Sequence, residues 1–253
     1  MMSCQQPGAG AEVESVDPVW EKNFNRIFQM LKTKFSECKT ILDVGSSRGT
    51  FLKLAKTHDF PATGLEPDAH LAEQCRSAGL EVITGFFPAA DELNGKTNGK
   101  TFDVVIFNNS FEHIPDLNSI LTGIKKYLNP NGVTIVHLPC SSGLMFQAAF
   151  FLYKKGMSAP FDRLWQKGFA SPHLHYFNPA NLKILFEKYG FIQKESKRFS
   201  FFVIKGLWRR IRCKSSLVMS IAAWFILVVL YPLFAIKSDC FVSYFTPENG
   251  KGG

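Results

Sequence analysis

Three histidines and two glycines are the residues of this sequence whose types and spacing best suit chemistry. His113, His173 and His175 carry imidazoles, and an imidazole with its ordinary pKa of about 6.5 can take a proton from a hydroxyl group near neutral pH. Gly45 and Gly49 stand in one loop, where glycine permits positive φ angles and a close approach of a ligand to the backbone. The sequence therefore offers candidate bases and a candidate ligand-binding loop, and both need a scaffold.

The two glycines lie in a pattern typical of a strand, a tight turn and a helix. Residues 40–44 favour a strand, and an apolar pattern at helical spacing begins at Phe51. Such a turn leaves backbone N–H groups and a helix N-terminus beside a bound ligand, although similar turns also occur as plain scaffold. We predict that a ligand contacts the following residues of this loop: Asp43, Gly45, Ser46, Ser47 and Gly49.

An acidic residue ends the next predicted strand. That strand, residues 61–66, finishes at Glu66 and is followed by Pro67. Glu66 lies about twenty residues beyond Gly45, the spacing at which a carboxylate on the second strand of a βαβ unit accepts hydrogen bonds from both ribose hydroxyls. The alternative for Glu66 is a solvated charge at a strand end. With the glycine loop upstream, the nucleoside-binding interpretation is favoured.

Polar side chains also follow the apolar run 102–107, which is predicted to be a buried strand. Asn108 and Asn109 stand at its carboxyl end, where open α/β sheets bind ligands. Their side chains can cap the loop or reach the amino acid moiety of a cofactor. His113 comes shortly after them, before the next predicted helix.

Taken together, these motifs resemble those of the class I S-adenosylmethionine-dependent methyltransferases. The likeness is carried by residues 43–49, 64–68 and 102–116, and the nearer branch includes the ubiquinone-biosynthesis O-methyltransferases. It covers about residues 18–200 and implies S-adenosyl-L-methionine as the cofactor. It also implies an α/β, Rossmann-like fold, in which a seven-stranded and mostly parallel sheet carries helices on both faces.

The resemblance further implies roles for individual residues. In related enzymes the loop equivalent to Gly85 and Phe86 flanks the adenine, and plain turn chemistry is the alternative here. His113 is either the base or a structural histidine that lines the cofactor site. In the ubiquinone-pathway relatives an acidic residue four positions before this histidine helps to hold a metal ion. Because that position is Asn109 here, we expect no metal site.

The rest of the pattern alternates strands with helices, as in a mostly parallel sheet. We predict a disordered tail over residues 1–17, a helix over 18–35 and a methyltransferase domain over 18–199. The domain is predicted to contain further strands at 80–84, 132–138 and 191–199.

A long connection after the strand 132–138 predicts a lid over the active-site end of the sheet, at residues 140–177. Its aromatic and apolar composition favours a lipid-like or aromatic acceptor. His173 and His175 lie near its end and share one side of an extended segment. One of them could be the base, or both could tie the lid to the core.

An uncharged apolar stretch at residues 217–236 is long enough to cross a bilayer as a helix. We predict a membrane-associated hairpin over 200–238, held on the cytoplasmic face, and a final strand and tail over 239–253. A strand there requires both hairpin ends on one side of the membrane. A single C-terminal span is therefore expected only if that strand is absent, and a buried core helix is the remaining alternative.

The charge and the cysteines limit the possible partners. The net charge is +8 with a pI near 9.2, and much of the excess lies at residues 194–214, which favours an anionic membrane surface. No nucleic acid partner is expected, because the basic residues are not interleaved with base-stacking aromatics. The six cysteines form no CxxC pair, which fits reduced cytosolic thiols.

The sequence thus predicts a methyltransferase that methylates an oxygen of a membrane-associated, lipid-like or lipid-linked small molecule. One alternative is a membrane-docked protein that binds the cofactor without turnover, because Ser47 stands where relatives usually have glycine. An NAD(P)-linked oxidoreductase is disfavoured, because the loop is not GxGxxG and no suitable Tyr-x-x-x-Lys is present.

Overall fold

The computed structural model describes residues 9–89, 101–199 and 238–248, with side chains from Val19 onward. The helices of the described chain are α1 Ala9–Lys34, α2 Thr50–Thr57, α3 Ala69–Ser77, α4 Leu117–Tyr127, α5 Leu144–Lys154, α6 Ala159–Leu164 and α7 Pro179–Lys188, with a 3-10 helix at Phe111–His113. Its strands are β1 Ile41–Val44, β2 Ala62–Glu66, β3 Glu81–Thr84, β4 Phe102–Asn108, β5 Leu128–Pro139, β6 Phe191–Phe199 and β7 Cys240–Pro247.

The seven strands form one sheet in the order β3-β2-β1-β4-β5-β7-β6. Strands β1 to β5 are parallel, and β7 runs antiparallel to both β5 and β6. This arrangement confirms the predicted Rossmann-like, mostly parallel sheet. From β1 the sheet continues through β2 to β3 on one side, and from β4 it continues through β5 on the other. A crevice therefore opens between the carboxyl ends of β1 and β4, where open α/β sheets bind ligands.

Helices cover both faces of the sheet, because the central strands β1 and β4 are buried on both sides. On one face the core includes Leu121 and Ile124 of α4 and Phe186 of α7. On the other face α1 and α2 pack together through Phe28 and Phe51, whose ring centroids lie 4.8 Å apart. The two cores hold the strand tips in fixed positions, which the site requires.

The first helix is longer than the sequence predicted. α1 begins at Ala9, so the predicted disordered tail over 1–17 is wrong for residues 9–17. Alanine and glutamate are frequent in that stretch, and both have high helix propensity. The proline at position 18, taken as the start of the helix, lies inside it.

The predicted membrane hairpin lies outside the described residues, apart from Ser238. Among the helices that are described, none has the length and apolar character needed to cross a membrane. The predicted final strand is present as β7, with Cys240 paired to both Pro139 of β5 and Phe199 of β6. The condition for a single C-terminal span is therefore not met. Phe199 and Cys240, the strand residues on either side of segment 200–237, pair with each other where β5 ends.

The region predicted as a lid, residues 140–177, leaves the sheet and returns to it at one point. Cys140 and Phe177 form an isolated bridge, and the Ser141 N–H donates to the Phe177 carbonyl over 2.7 Å. Between these ends the chain forms α5 and α6. We call residues 140–177 the lid.

Candidate active site

The glycine loop follows β1 at the crevice and is fixed to the neighbouring strand. Gly45 has a φ angle of 79°, and its N–H donates to the Leu65 carbonyl over 2.8 Å. A Cβ atom at Gly45 would lie 2.7 Å from the Cβ of Ser110. From the sequence we expected this glycine to permit the close approach of a ligand. In the structure the close approach comes from the loop after β4, whose Ser110 hydroxyl donates to the Val44 carbonyl.

Gly49 is the N-cap residue that precedes α2, and its φ angle is 71°. A Cβ atom there would lie 2.5 Å from Leu80 Cδ1 and 3.0 Å from Cys75 Sγ, so glycine allows the helix to pack against α3 and the turn after it. Within the described chain no side chain caps this helix. The first-turn N–H groups of α2 therefore lack a capping side chain and can bind a ligand.

Glu66 braces the glycine loop. Its Oε2 accepts a hydrogen bond from the Ser47 N–H over 2.7 Å, and its Oε1 accepts one from the Asp68 N–H over 3.0 Å. The residue is only 8% exposed, so the alternative of a solvated charge is wrong. A carboxylate has about four acceptor positions, and two remain for a ligand. Pro67 follows it at the surface.

Ser47 lies in the left-handed region, with a φ angle of 48°. That region favours glycine, because a side chain on Cβ is crowded there. The bond from its N–H to Glu66 helps to hold this conformation.

Asp43 and Asn108 join the tips of β1 and β4. The Asn108 Nδ2 group donates to Asp43 Oδ1 over 3.2 Å. Burial raises the pKa of the Asp43 carboxyl to about 7, the Asn108 hydrogen bond opposes that rise, and the nearby Glu66 charge adds to it. The Asp43 carboxyl is therefore only partly ionised at neutral pH.

Several buried polar atoms around the crevice have no hydrogen-bond partner among the described residues. They are Ser46 Oγ, Asn108 Oδ1 and Asn109 Nδ2. Asn109 is also held at a positive φ angle of 50°, with its N–H bonded to the His137 carbonyl. Leaving a buried polar group unpaired costs about 1–3 kcal/mol, so a polar ligand that pairs with these atoms gains that free energy.

The turn after β3 forms the outer wall of the crevice. Gly85 has a φ angle of 148°, and its N–H donates to the Glu66 carbonyl over 3.0 Å. The neighbouring Phe86 ring is 72% exposed. An exposed aromatic ring beside a binding crevice can pack against a flat apolar group.

The structure brings His113 and His173 together, with ring centroids 4.8 Å apart. His113 Nδ1 lies 2.9 Å from the Pro172 carbonyl oxygen. Since a carbonyl can only accept, Nδ1 carries the hydrogen in this contact and Nε2 has the free lone pair. Burial, followed by the neighbouring His113 charge, lowers the pKa of His173 to about 4. His173 is therefore a weak base, and His113 is the better candidate of the two.

His175 has different partners from His173. Its Nε2 lies 3.1 Å from the Ile114 carbonyl oxygen, and its backbone N–H donates to the Glu112 carbonyl over 3.1 Å. These bonds tie the end of the lid to the loop after β4. The alternative that this histidine is structural therefore fits its geometry.

Glu112 was not assigned a role from the sequence, yet it lies beside both His113 and His173. It is 1% exposed, and neither carboxyl oxygen has a partner in the described structure. Burial raises the pKa of its carboxyl to about 8. Potential ligand atoms of these three residues lie within 4.8 Å of one another, so they could hold a metal ion. The expectation that no metal binds here stays a prediction. The sequence signal that could have indicated a role for Glu112 is its position as an acidic residue within an apolar stretch, after Phe111 and shortly before Ile114.

Aromatic side chains of the lid pack next to His173, one of the three residues of the Glu112, His113 and His173 cluster. The Tyr176 ring centroid lies 4.7 Å from that of Phe146, 5.1 Å from that of Trp165 and 5.3 Å from that of His173. The Tyr176 hydroxyl donates to the Leu164 carbonyl of α6 over 3.2 Å. The side of the site that faces the lid is therefore aromatic.

Comparisons with known proteins agree with this geometry. A family model described as a methyltransferase domain matches residues 13–192. The chain is 26% identical over 150 residues to the C-methyltransferase NovU of Streptomyces niveus, covering 59% of this chain and 32% of that protein. It is 29% identical over 96 residues to the ubiquinone biosynthesis O-methyltransferase of Vibrio atlanticus, covering 37% of this chain and 40% of that protein.

These matches span between about a third and two fifths of the length of the curated relatives. Among solved structures, a methyltransferase of Haloferax volcanii in complex with the Trm112 methyltransferase activator superposes with a TM-score of 0.59. It is 12% identical, and the match covers 94% of this chain and 100% of that one. At this identity the likeness shows the fold alone.

Proposed function

Because this chain belongs to the S-adenosylmethionine-dependent methyltransferases, we propose that it transfers a methyl group to an oxygen of a lipid-like acceptor at a membrane. The observation that carries the proposal is the convergence of three features at the crevice between β1 and β4. These are the uncapped N-terminus of α2, the Glu66 carboxylate and the unpaired Asn108 Oδ1 and Asn109 Nδ2 atoms.

The residues around the crevice fit the polar and apolar parts of S-adenosyl-L-methionine. The two free acceptor positions of Glu66 suit a pair of ribose hydroxyls. The exposed ring of Phe86 suits the adenine, and the unpaired atoms of Ser46 and Asn109 suit the amino acid moiety. When bound, the cofactor supplies an electrophilic methyl group. The chain's part is to orient the acceptor and exclude water.

A base near the acceptor would raise the reactivity of its hydroxyl group. His113 is our candidate, because the Pro172 carbonyl holds its Nδ1 and leaves Nε2 to accept a proton. The ring of His173 lies against it and, with its lowered pKa, adds no positive charge at neutral pH. His175 serves in this proposal as a tie between the lid and the core.

Two observations support a lipid-like acceptor and a membrane location. The lid side of the site is aromatic, which suits an apolar molecule. The apolar stretch 217–236 belongs to segment 200–237, and the strands that flank this segment pair at Phe199 and Cys240, where β5 ends. An anionic membrane surface on the cytoplasmic side would match the basic residues that precede this stretch.

Carbon methylation is a second candidate. The match to a C-methyltransferase covers 59% of the chain, whereas the match to an O-methyltransferase covers 37%. The aromatic wall alone does not distinguish an enolate carbon from a hydroxyl oxygen. Both reactions begin with removal of a proton from the acceptor, and His113 can serve in either.

The test is methyl transfer from isotopically labelled S-adenosyl-L-methionine to lipid extracts of membranes by the purified 253-residue chain. We expect label in a lipid-extractable product, and mass spectrometry after ether cleavage will separate O-methyl from C-methyl products. Label that stays on carbon would favour the second candidate. Tight cofactor binding without transfer to any extract would favour a binding protein and contradict the proposed activity.

A further inference from the structure

The lid carries apolar surface that the described part of the chain leaves uncovered. Nine of the eleven residues of α5 are apolar, yet Ala149 is its one buried residue. Of the nine large apolar side chains exposed in the described chain, six lie between Met145 and Leu174. A helix that is apolar on all sides is normally buried, and a cluster of exposed apolar residues marks a contact surface.

Basic side chains are interspersed with this apolar surface. Lys154 Nζ lies 4.6 Å from the ring centroid of Phe150, and Lys155 Nζ lies 5.8 Å from that of Phe151. Residues 144–170 contain four basic residues and one acidic residue, which gives a net charge of +3. Exposed aromatic side chains among lysines suit a surface whose headgroups are anionic and whose interior is apolar.

The position of the lid adds a second, independent argument. Phe199 and Cys240 pair with each other at the end of β5, so the strands that flank segment 200–237 in the sequence meet there. Asp239 Oδ1 then accepts a hydrogen bond over 2.8 Å from the Met145 N–H in the first turn of α5. The described residues that follow that segment therefore contact the lid directly.

We propose that the outer surface of the lid docks on an anionic phospholipid bilayer. We define this lid face by Phe151, Met157, Phe169, Lys154, Lys155 and Lys167. The inference rests on the proposed function, because docking places the aromatic side of the site next to the bilayer from which a lipid-like acceptor would come. The apolar side chains enter the headgroup boundary, and the lysines contact the phosphates.

Vesicle flotation of the whole chain tests the proposal, with phosphatidylcholine vesicles that contain either no phosphatidylglycerol or about 30% of it. The combined substitutions Phe151→Ser, Met157→Ser and Phe169→Ser should lower partitioning at least about tenfold. Lys154→Glu with Lys155→Glu should lower it roughly fivefold or more per residue, on anionic vesicles alone. Ile184→Ser, an exposed position on α7, is the matched control and should leave partitioning unchanged.

Two results would overturn the inference. One is the absence of binding to anionic vesicles by the unsubstituted chain. The other is unchanged binding after both sets of lid substitutions, which would mean that segment 200–237 either covers the lid face or carries the binding alone. Calorimetric titration with S-adenosylhomocysteine on the same preparations, without vesicles, reports separately on the proposed function. Circular dichroism melting identifies any variant that fails to fold, and the lysine pair then remains as the test.

Discussion

Asn108 donates a hydrogen bond to Asp43 over 3.2 Å and thereby joins β4 to β1 at the point where the strand order of the sheet reverses. The two residues are 65 positions apart in the chain. Their contact fixes the base of the crevice in which we place the cofactor. It also buries a carboxyl group whose protonation should be visible in the stability of the protein.

Asp43→Asn should change how stability depends on pH. The pKa of this carboxyl rises from 3.8 to about 7 on folding, so the folded state holds the proton more tightly. The free energy of unfolding therefore falls as pH rises from about 4 to about 7, by up to about 4 kcal/mol from this group. The variant lacks that contribution. Urea unfolding at pH 5 and pH 8 measures the difference, and parallel slopes for both proteins would contradict the assignment.

Gly45→Ala should destabilise the protein by about 2–4 kcal/mol, because the new Cβ would lie 2.7 Å from Ser110 Cβ and φ is positive. Gly156→Ala is the matched control. It has a positive φ of 87° but no atom within 4 Å of the added Cβ, so it should cost about 1 kcal/mol. Thermal unfolding of both variants measures the two losses of stability. Equal losses would show that strain, and not contact with Ser110, explains the glycine.

His113→Gln should lower kcat about 100-fold or more while leaving affinity for S-adenosylhomocysteine unchanged. His175→Gln breaks the bond to the Ile114 carbonyl and should cost about 1 kcal/mol of stability with a smaller effect on kcat. Single-turnover rates with a saturating acceptor measure the first effect. The assignment of the base fails if the substitution at 175 abolishes turnover and that at 113 does not.

Glu112→Gln should stabilise the protein most at alkaline pH. Burial raises the pKa of this carboxyl from 4.5 to about 8, so charging it in the folded state costs free energy that rises between those two pH values. The glutamine cannot charge, and its advantage should grow from pH 5 to pH 8. A stability difference that does not change with pH, measured in the presence of EDTA, would show that a partner stabilises the charged carboxyl.

The strands and the positions of most candidate residues could be predicted, because apolar runs that end in Asp43, Glu66 and Asn108 are local patterns. Contacts between distant positions could not. The packing of Ser110 against Gly45, and of Glu112 against His173, depends on how loops from different strands meet. The spacing of residues within one segment carries no information about contacts between such loops.

The error at the first helix has a different cause. The prediction took the proline at position 18 as a first-turn residue, which is its commonest place in helices. In the structure the residues before it continue the helix to Ala9. Local signals at helix ends are weak, and a single proline does not fix where a helix begins.

The most direct measurement of the central claim is calorimetric titration of S-adenosylhomocysteine into three forms of the whole chain. They are the unsubstituted chain, Glu66→Gln, and Glu81→Gln as a control at an exposed carboxylate where β3 begins. We predict binding that weakens roughly 10- to 100-fold in the first variant, because hydrogen bonds to a charged group are lost, and stays unchanged in the second. No binding by the unsubstituted chain, or equal affinity in all three, would contradict the placement of the nucleoside at this crevice.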